Sequence, residues 1–176
     1  MQVLSRQRGV SLIEVLMAVL IFSIGLIGLA GLMIMATRSN HTAYLRTQAT
    51  FLASSMADRM RANPVGVWSN AYNVTLPTTA TQVCDSTTAC TPAQVATYDL
   101  KMWSDQLTAF LPNASATIAC SSAQAGYTPQ AGQVGMRPPY GGNCTMSITW
   151  DERGLAGDTA SSGDTLPQTF NWEFQP

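Results

Sequence analysis

The stretch Arg8-Gly9-Val10-Ser11-Leu12-Ile13-Glu14, followed by the uncharged apolar run from Val15 to Ala36, decides how the rest of the chain is read. The run is long enough to cross a bilayer as one helix, which takes roughly 20 residues rising 1.5 Å each. Glu14 stands at its mouth. Translocon scales assign about 2.5–3.5 kcal/mol to such a group at a helix centre and less near an end, so this carboxylate needs a partner. Upstream lie Arg6 and Arg8, a short basic leader closed by Gly9. No acid accompanies them, and the positive-inside bias therefore places this end in the cytoplasm and everything beyond Ala36 outside. Arg38 on the far flank weakens the asymmetry only slightly.

A secretory signal, a plain anchor and a buried helix each fit the run less well. A secretory signal has an apolar region of about 7–15 residues without an acid, although Ile34-Met35-Ala36 loosely resembles a small-residue cleavage site. A plain membrane anchor would make Glu14 incidental. A buried helix of a soluble protein is excluded, because nothing later in the chain supplies enough apolar surface to cover it.

Outside the run the chain is polar and modest in size, rich in Thr, Ser, Ala, Gln and Gly. The 176 residues carry a formal charge of −1, with 11% charged residues. Removal of residues 1–9 would take two arginines, leaving seven basic residues against ten acidic ones and a charge of −3. Nucleic-acid binding is not expected, since it needs clustered Lys or Arg to displace counterions. Lys101 is the only lysine.

From Val10 the helical pattern continues without proline to Asn63-Pro64, a span of roughly 80 Å if unbroken. Beyond Thr37 it turns amphipathic. Leu45, Ala49, Leu52, Met56 and Met60 recur at helical spacing, with Arg46, Asp58, Arg59 and Arg61 off that stripe, so the second half should seat a globular domain. Within the apolar run Gly25, Gly28 and Gly31 fall three apart. They read either as a contact face for another helix or as a weakened stretch, since each Gly costs about 1 kcal/mol of helix propensity relative to Ala.

After Pro64 comes a Ser/Thr/Asn-rich connector ending in the Cys84–Cys90 segment. Thr91-Pro92 supplies an N-cap and a favoured first helical residue, and Ala96, Leu100, Trp103, Leu107, Phe110 and Leu111 follow at helical intervals until Pro112-Asn113 stops a second, shorter helix. The period then changes to two. Ile118 and Cys120 share one strand face, Cys144, Met146, Ile148 and Trp150 another, and Phe170, Trp172 and Phe174 a third. Four cysteines on the exported side read as two disulfides, with three connectivities open. The alternation favours Cys120 with Cys144 across the sheet and leaves Cys84 with Cys90. The segments Gly126 to Gly142 and Gly154 to Gly163 read as exposed loops.

Catalytic and metal-binding patterns are not found. His41 is the only histidine and reads as a solvated residue past the membrane, so Ser-His-Asp or Cys-His chemistry has no second candidate. Asp158 and Asp164 could offer oxygens to calcium, but the alternation of an EF-hand loop is missing and a solvated loop is expected. Arg137-Pro138-Pro139-Tyr140 reads as a proline-stiffened loop that could present its aromatic to a partner. No enzyme activity, cofactor or metal is expected.

Gly9, Val10, Ser11, Leu12, Ile13, Glu14 and Val15 together resemble the type IV prepilin signature. Later stretches, Leu100-Lys101-Met102-Trp103 running into Leu111-Pro112-Asn113 and Thr145 to Arg153, are similar to PilV-type minor pilins. The resemblance implies an α+β pilin fold, in which a long amino-terminal membrane-spanning helix packs on a small antiparallel sheet with a second short helix. It implies a leader at residues 1–9, a helix over 10–62 that crosses the membrane at 15–36, and an exported domain over 63–176. A membrane peptidase would cut between Gly9 and Val10 and methylate Val10, and Glu14 would pair with the amino terminus of a neighbouring subunit. In the family most mature chains begin with Phe or Met, and Val10 departs from that. The implied partners are prepilin peptidase, other minor pilins, the major pilin and a tip-associated adhesin. The implied location is the inner membrane, amino terminus in the cytoplasm and domain in the periplasm, and then the pilus on the cell surface, in a fibre whose task is twitching, adhesion or DNA uptake. A minor pseudopilin of type II secretion shares the same leader, acid and helix, and a membrane-anchored periplasmic binding domain that never polymerises is the rival from another class.

Overall fold

The computed structural model describes residues 9–153 and 165–176. Helix α1 runs Leu12–Ala62 without interruption. The chain divides into two compact units inside this helix, between Ala43 and Tyr44.

From Leu12 onward the described part of the amino-terminal unit is helix, and every residue from Gly9 to His41 is exposed. Its one polar side chain between Val15 and Ala36 is Ser23, whose hydroxyl donates to the Val19 carbonyl at 2.7 Å. That bond meets the requirement that polar groups in hydrocarbon be satisfied internally. The helix continues through Gly25, Gly28 and Gly31, where an added Cβ would meet nothing within 4 Å.

The second unit is an α+β domain. Its sheet has the order β1-β2-β3-β4, with β1 at Val74–Leu76, β2 at Ser115–Ser121, β3 at Asn143–Arg153 and β4 at Thr165–Phe174, all neighbours antiparallel. The alternation expected of the three long strands sets their inward faces: Ala116, Ile118 and Cys120 on β2, and Cys144, Met146, Ile148 and Trp150 on β3, are all buried. Helix α3, Pro92–Phe110, begins at Thr91, whose hydroxyl accepts from Gln94 N–H while the Gln94 side chain accepts from Thr91 N–H. This reciprocal cap satisfies two donors that the first helical turn leaves open. Ala96, Leu100, Trp103 and Leu107 face inward from α3, and Leu45, Ala49, Leu52, Met56 and Met60 from α1, with Ala53 and Ala57 filling the spaces between the large residues. Phe110, expected on the inward stripe of α3, is exposed because the helix ends there and the chain turns at Leu111.

The connector after Pro64 is more ordered than its composition indicates. It contains a short helix α2, Pro64–Trp68, capped by the Asn63 side chain, and then β1. The Gly126–Gly142 segment is likewise not wholly an exposed loop. It holds one helical turn, α4 at Ala131–Val134, and brings Tyr140 to within 2% of complete burial. Asp158, Asp164 and the Gly154–Gly163 segment lie outside the described residues, as do Arg6 and Arg8.

Candidate functional site

The amino-terminal motif folds in two parts. Gly9 and Val10 are non-helical and exposed, Val10 retaining 69% of its accessible surface, and so their peptide bond is open to another protein. Ser11 then starts the helix, its carbonyl accepting from Glu14 N–H at 3.0 Å and Val15 N–H at 3.3 Å. Glu14 lies in the first turn, where a negative charge meets the positive end of the helix dipole. The helix begins at Leu12, two residues after Val10. From there onward, the unit offers a cylinder of exposed Leu, Ile, Val, Met and Phe with Glu14 at one end.

In the globular unit a buried polar network ties the elements together. Arg59 on α1 reaches Asp99 on α3 at 3.0 Å, Tyr72 donates to the other Asp99 oxygen at 2.8 Å, and Asn63 donates to the Tyr72 hydroxyl at 3.2 Å and to the Pro92 carbonyl at 2.7 Å. Burial pushes the Tyr72 phenol up, and the neighbouring Asp99 carboxylate adds to the shift although the Asn63 bond opposes it. Tyr72 therefore stays a neutral donor, and the carboxylate it serves is satisfied on both oxygens. Gly66 is required here, since a Cβ at that position would sit 2.5 Å from Asn63 Nδ2. Asp99 adjoins Leu100 on the apolar stripe of α3, so an acid at an inward helical position was the available signal for this network.

The Arg137-Pro138-Pro139-Tyr140 loop turns its aromatic inward, contrary to the partner-facing arrangement its sequence allowed. The Tyr140 ring packs edge-on against Trp68 with centroids 4.7 Å apart, and Trp68 Nε1 donates to the Pro138 carbonyl at 3.0 Å. Arg137 adopts φ 58° and its guanidinium donates to the Ala62 carbonyl, closing the end of α1. A groove of about 400 Å³ lies between Met60, Arg61, Pro64, Arg137, Pro139 and Tyr140. Its arginines are engaged, Arg61 with Asp58 at 2.9 Å and Arg137 with Ala62. Cys84 is bonded to Cys90 and Cys120 to Cys144, the second pair bridging β2 and β3 at directly opposed positions. His41 is exposed on α1, and among the described residues no three His, Cys, Asp or Glu side chains converge as metal ligands.

An exposed apolar helix with an acid in its first turn, in one chain with a small antiparallel sheet, fits a membrane-anchored subunit. Two family models match the chain and specify which: residues 4–30 match the prokaryotic N-terminal methylation motif, and residues 31–101 match type IV pilin Tt1218. The chain is a type IV pilin-like prepilin, and the methylation motif implies processing by prepilin peptidase and assembly with other pilins. No curated protein and no solved structure matches it. Strands β2, β3 and β4 lie beyond both matched ranges, so the pilin-like layout of the sheet rests on the coordinates.

Proposed function

We infer that this pilin-type subunit is a minor pilin of a type IV pilus, which helps to prime or cap the filament. The observation that supports this most is the exposed Gly9–Val10 bond one helical turn ahead of Glu14, at the head of a helical stretch, Leu12 to Ala36, whose apolar side chains are all exposed. Hydrolysis of that bond by prepilin peptidase would release residues 1–9 with the Gly9 carboxylate and leave an amine on Val10, which the same enzyme would methylate. The amine of a neighbouring subunit would then neutralise Glu14 in a medium where an unpaired carboxylate is expensive, and the charge match would fix the stagger of adjoining helices. Apolar contact along Val15–Ala36 would supply most of the cohesion. The exported domain would lie in the periplasm before assembly and meet other minor pilins, the major pilin and a tip-associated adhesin afterwards.

A Glu14→Leu variant tests the assembly step. It should be exported and processed normally, yet fail to enter filaments. Normal incorporation of the processed variant would contradict the charge-pairing role.

A further inference from the structure

The two edges of the sheet differ in what they leave unbonded. Asn73 accepts from Cys120 N–H at 2.8 Å and donates to the Cys120 carbonyl at 3.3 Å, so Cys120 turns both backbone groups away from β3. Strict alternation turns Ala116 and Ile118 the same way, toward Leu76 and Val74, and leaves Thr75 as the residue of β1 facing outward. Asn73 N–H is already bonded to the Asn70 carbonyl, and Pro77 has no N–H to offer.

The opposite edge is open. Asp151 N–H donates to the Pro112 carbonyl at 3.0 Å and so points toward β2, and Cys144, directly opposite Cys120, points toward β4. In the β3–β4 register Gln168, Phe170, Trp172 and Phe174 then exchange bonds with β3, while Thr169, Asn171 and Glu173 direct N–H and carbonyl off the sheet. Pro167 belongs to the outward set, so its missing N–H costs the ladder nothing and marks where the open stretch stops. Among the described residues no strand pairs with this edge.

The side chains there are also incompletely covered. Phe170 and Trp172 are half-buried, whereas Ile148 and Met146 opposite them on β3 are fully buried. Glu173 is the only charged residue of β4, and its partner is the neutral amide of Asn143 at 3.0 Å.

We propose that the β4 edge from Thr169 to Glu173 receives an extended segment of a different polypeptide as a fifth strand. Its apolar side chains cover Phe170 and Trp172, and a lysine or arginine on its other face meets Glu173. A second copy of this chain fits poorly. Antiparallel β4–β4 pairing brings no cation to Glu173, because β4 carries no lysine or arginine. Parallel β4–β4 pairing sets the Thr169-Asn171-Glu173 face of one copy beside the aromatic face of the other. Pairing of β4 with another copy's β1 finds only Thr75 to bond.

The test uses the full chain in detergent micelles and a synthetic octapeptide of alternating valine and threonine with one lysine on its threonine face. Amide exchange at Thr169, Asn171 and Glu173 should slow about tenfold or more with the peptide, while Phe170 and Trp172, already bonded to β3, should not change. A peptide with glutamate in place of lysine should protect less, Glu173→Lys should reverse that preference, and Asn171→Pro should abolish protection. If Asn171→Pro fails to fold, the reversal by Glu173→Lys carries the test. Unchanged exchange at the three amides, protection indifferent to peptide charge, or concentration-dependent protection without peptide, which would indicate a second copy, overturns the proposal. Glu14→Leu should leave the result untouched, so failure of the assembly reading would show separately.

Discussion

The two stretches of α1 on either side of Tyr44 are one helix in two solvents. From Leu12 to Ala36 apolar residues surround the axis and all are exposed, as expected of a segment whose surroundings are lipid or other helices. From Tyr44 to Ala62 the same backbone carries a buried stripe and an opposite polar face, because there one side meets a protein core and the other water. The backbone hydrogen bonds are alike in both stretches. What differs is where the side chains find apolar contact, and therefore what a substitution should disturb.

Trp103 should give the largest effect. It is fully buried and its Nε1 donates to the Leu52 carbonyl of α1 at 2.9 Å, so Trp103→Ala should cost about 4 kcal/mol, measured as a shift in the denaturation midpoint of the globular unit. A matched pair tests the contrast within α1 itself. Leu52→Ala, at a site 1% exposed, should cost about 3 kcal/mol, whereas Leu29→Ala, at a site 64% exposed, should change that midpoint by less than about 0.5 kcal/mol. Equal effects would break the distinction between the two stretches. Asp99→Asn should cost about 2 kcal/mol by weakening two charge-assisted bonds, and Arg59→Met should be largely silent in that background. Thr91→Ala should cost about 1 kcal/mol through loss of the α3 cap.

The smallest effect is a pH response in the Cys84–Cys90 loop. The Thr87 hydroxyl, then the Thr87 and Thr88 amides, hold the Asp85 carboxyl below the ordinary carboxylate range. A lowered folded value means that the group favours the ordered loop above the unfolded aspartate pKa and loses this as the pH falls through the folded one. Thr87 and Thr88 amide resonances should therefore move together on acidification, and Asp85→Asn should remove the transition.

Elements were readable in the sequence where burial repeats with a fixed period over many residues. The α1 and α3 stripes and the inward faces of β2 and β3 all met that condition. Helix α2 and strand β1 did not, because five and three residues are too few to show a period, and α2 depends on a cap from Asn63, whose other bonds come from distant parts of the chain. Tyr140 was misread for a similar reason. Proline neighbours suggested a solvated loop, but Trp68 and the open end of α1, both far away in sequence, draw the segment in. The motif at Gly9 to Glu14 was readable because its components are contiguous. The open edge of β4 was not, since it depends on the register of three strands.

Filament assembly through Glu14 requires an amine at Val10 that the unprocessed chain does not have. Intact-mass spectrometry of the protein recovered from the filament or membrane, with and without reduction, tests this most directly. The predicted mass is that of residues 10–176 with one added methyl group and two cystines, reduction restoring the hydrogens of both. A functional, exported form that still carries Met1 to Gly9 would contradict it.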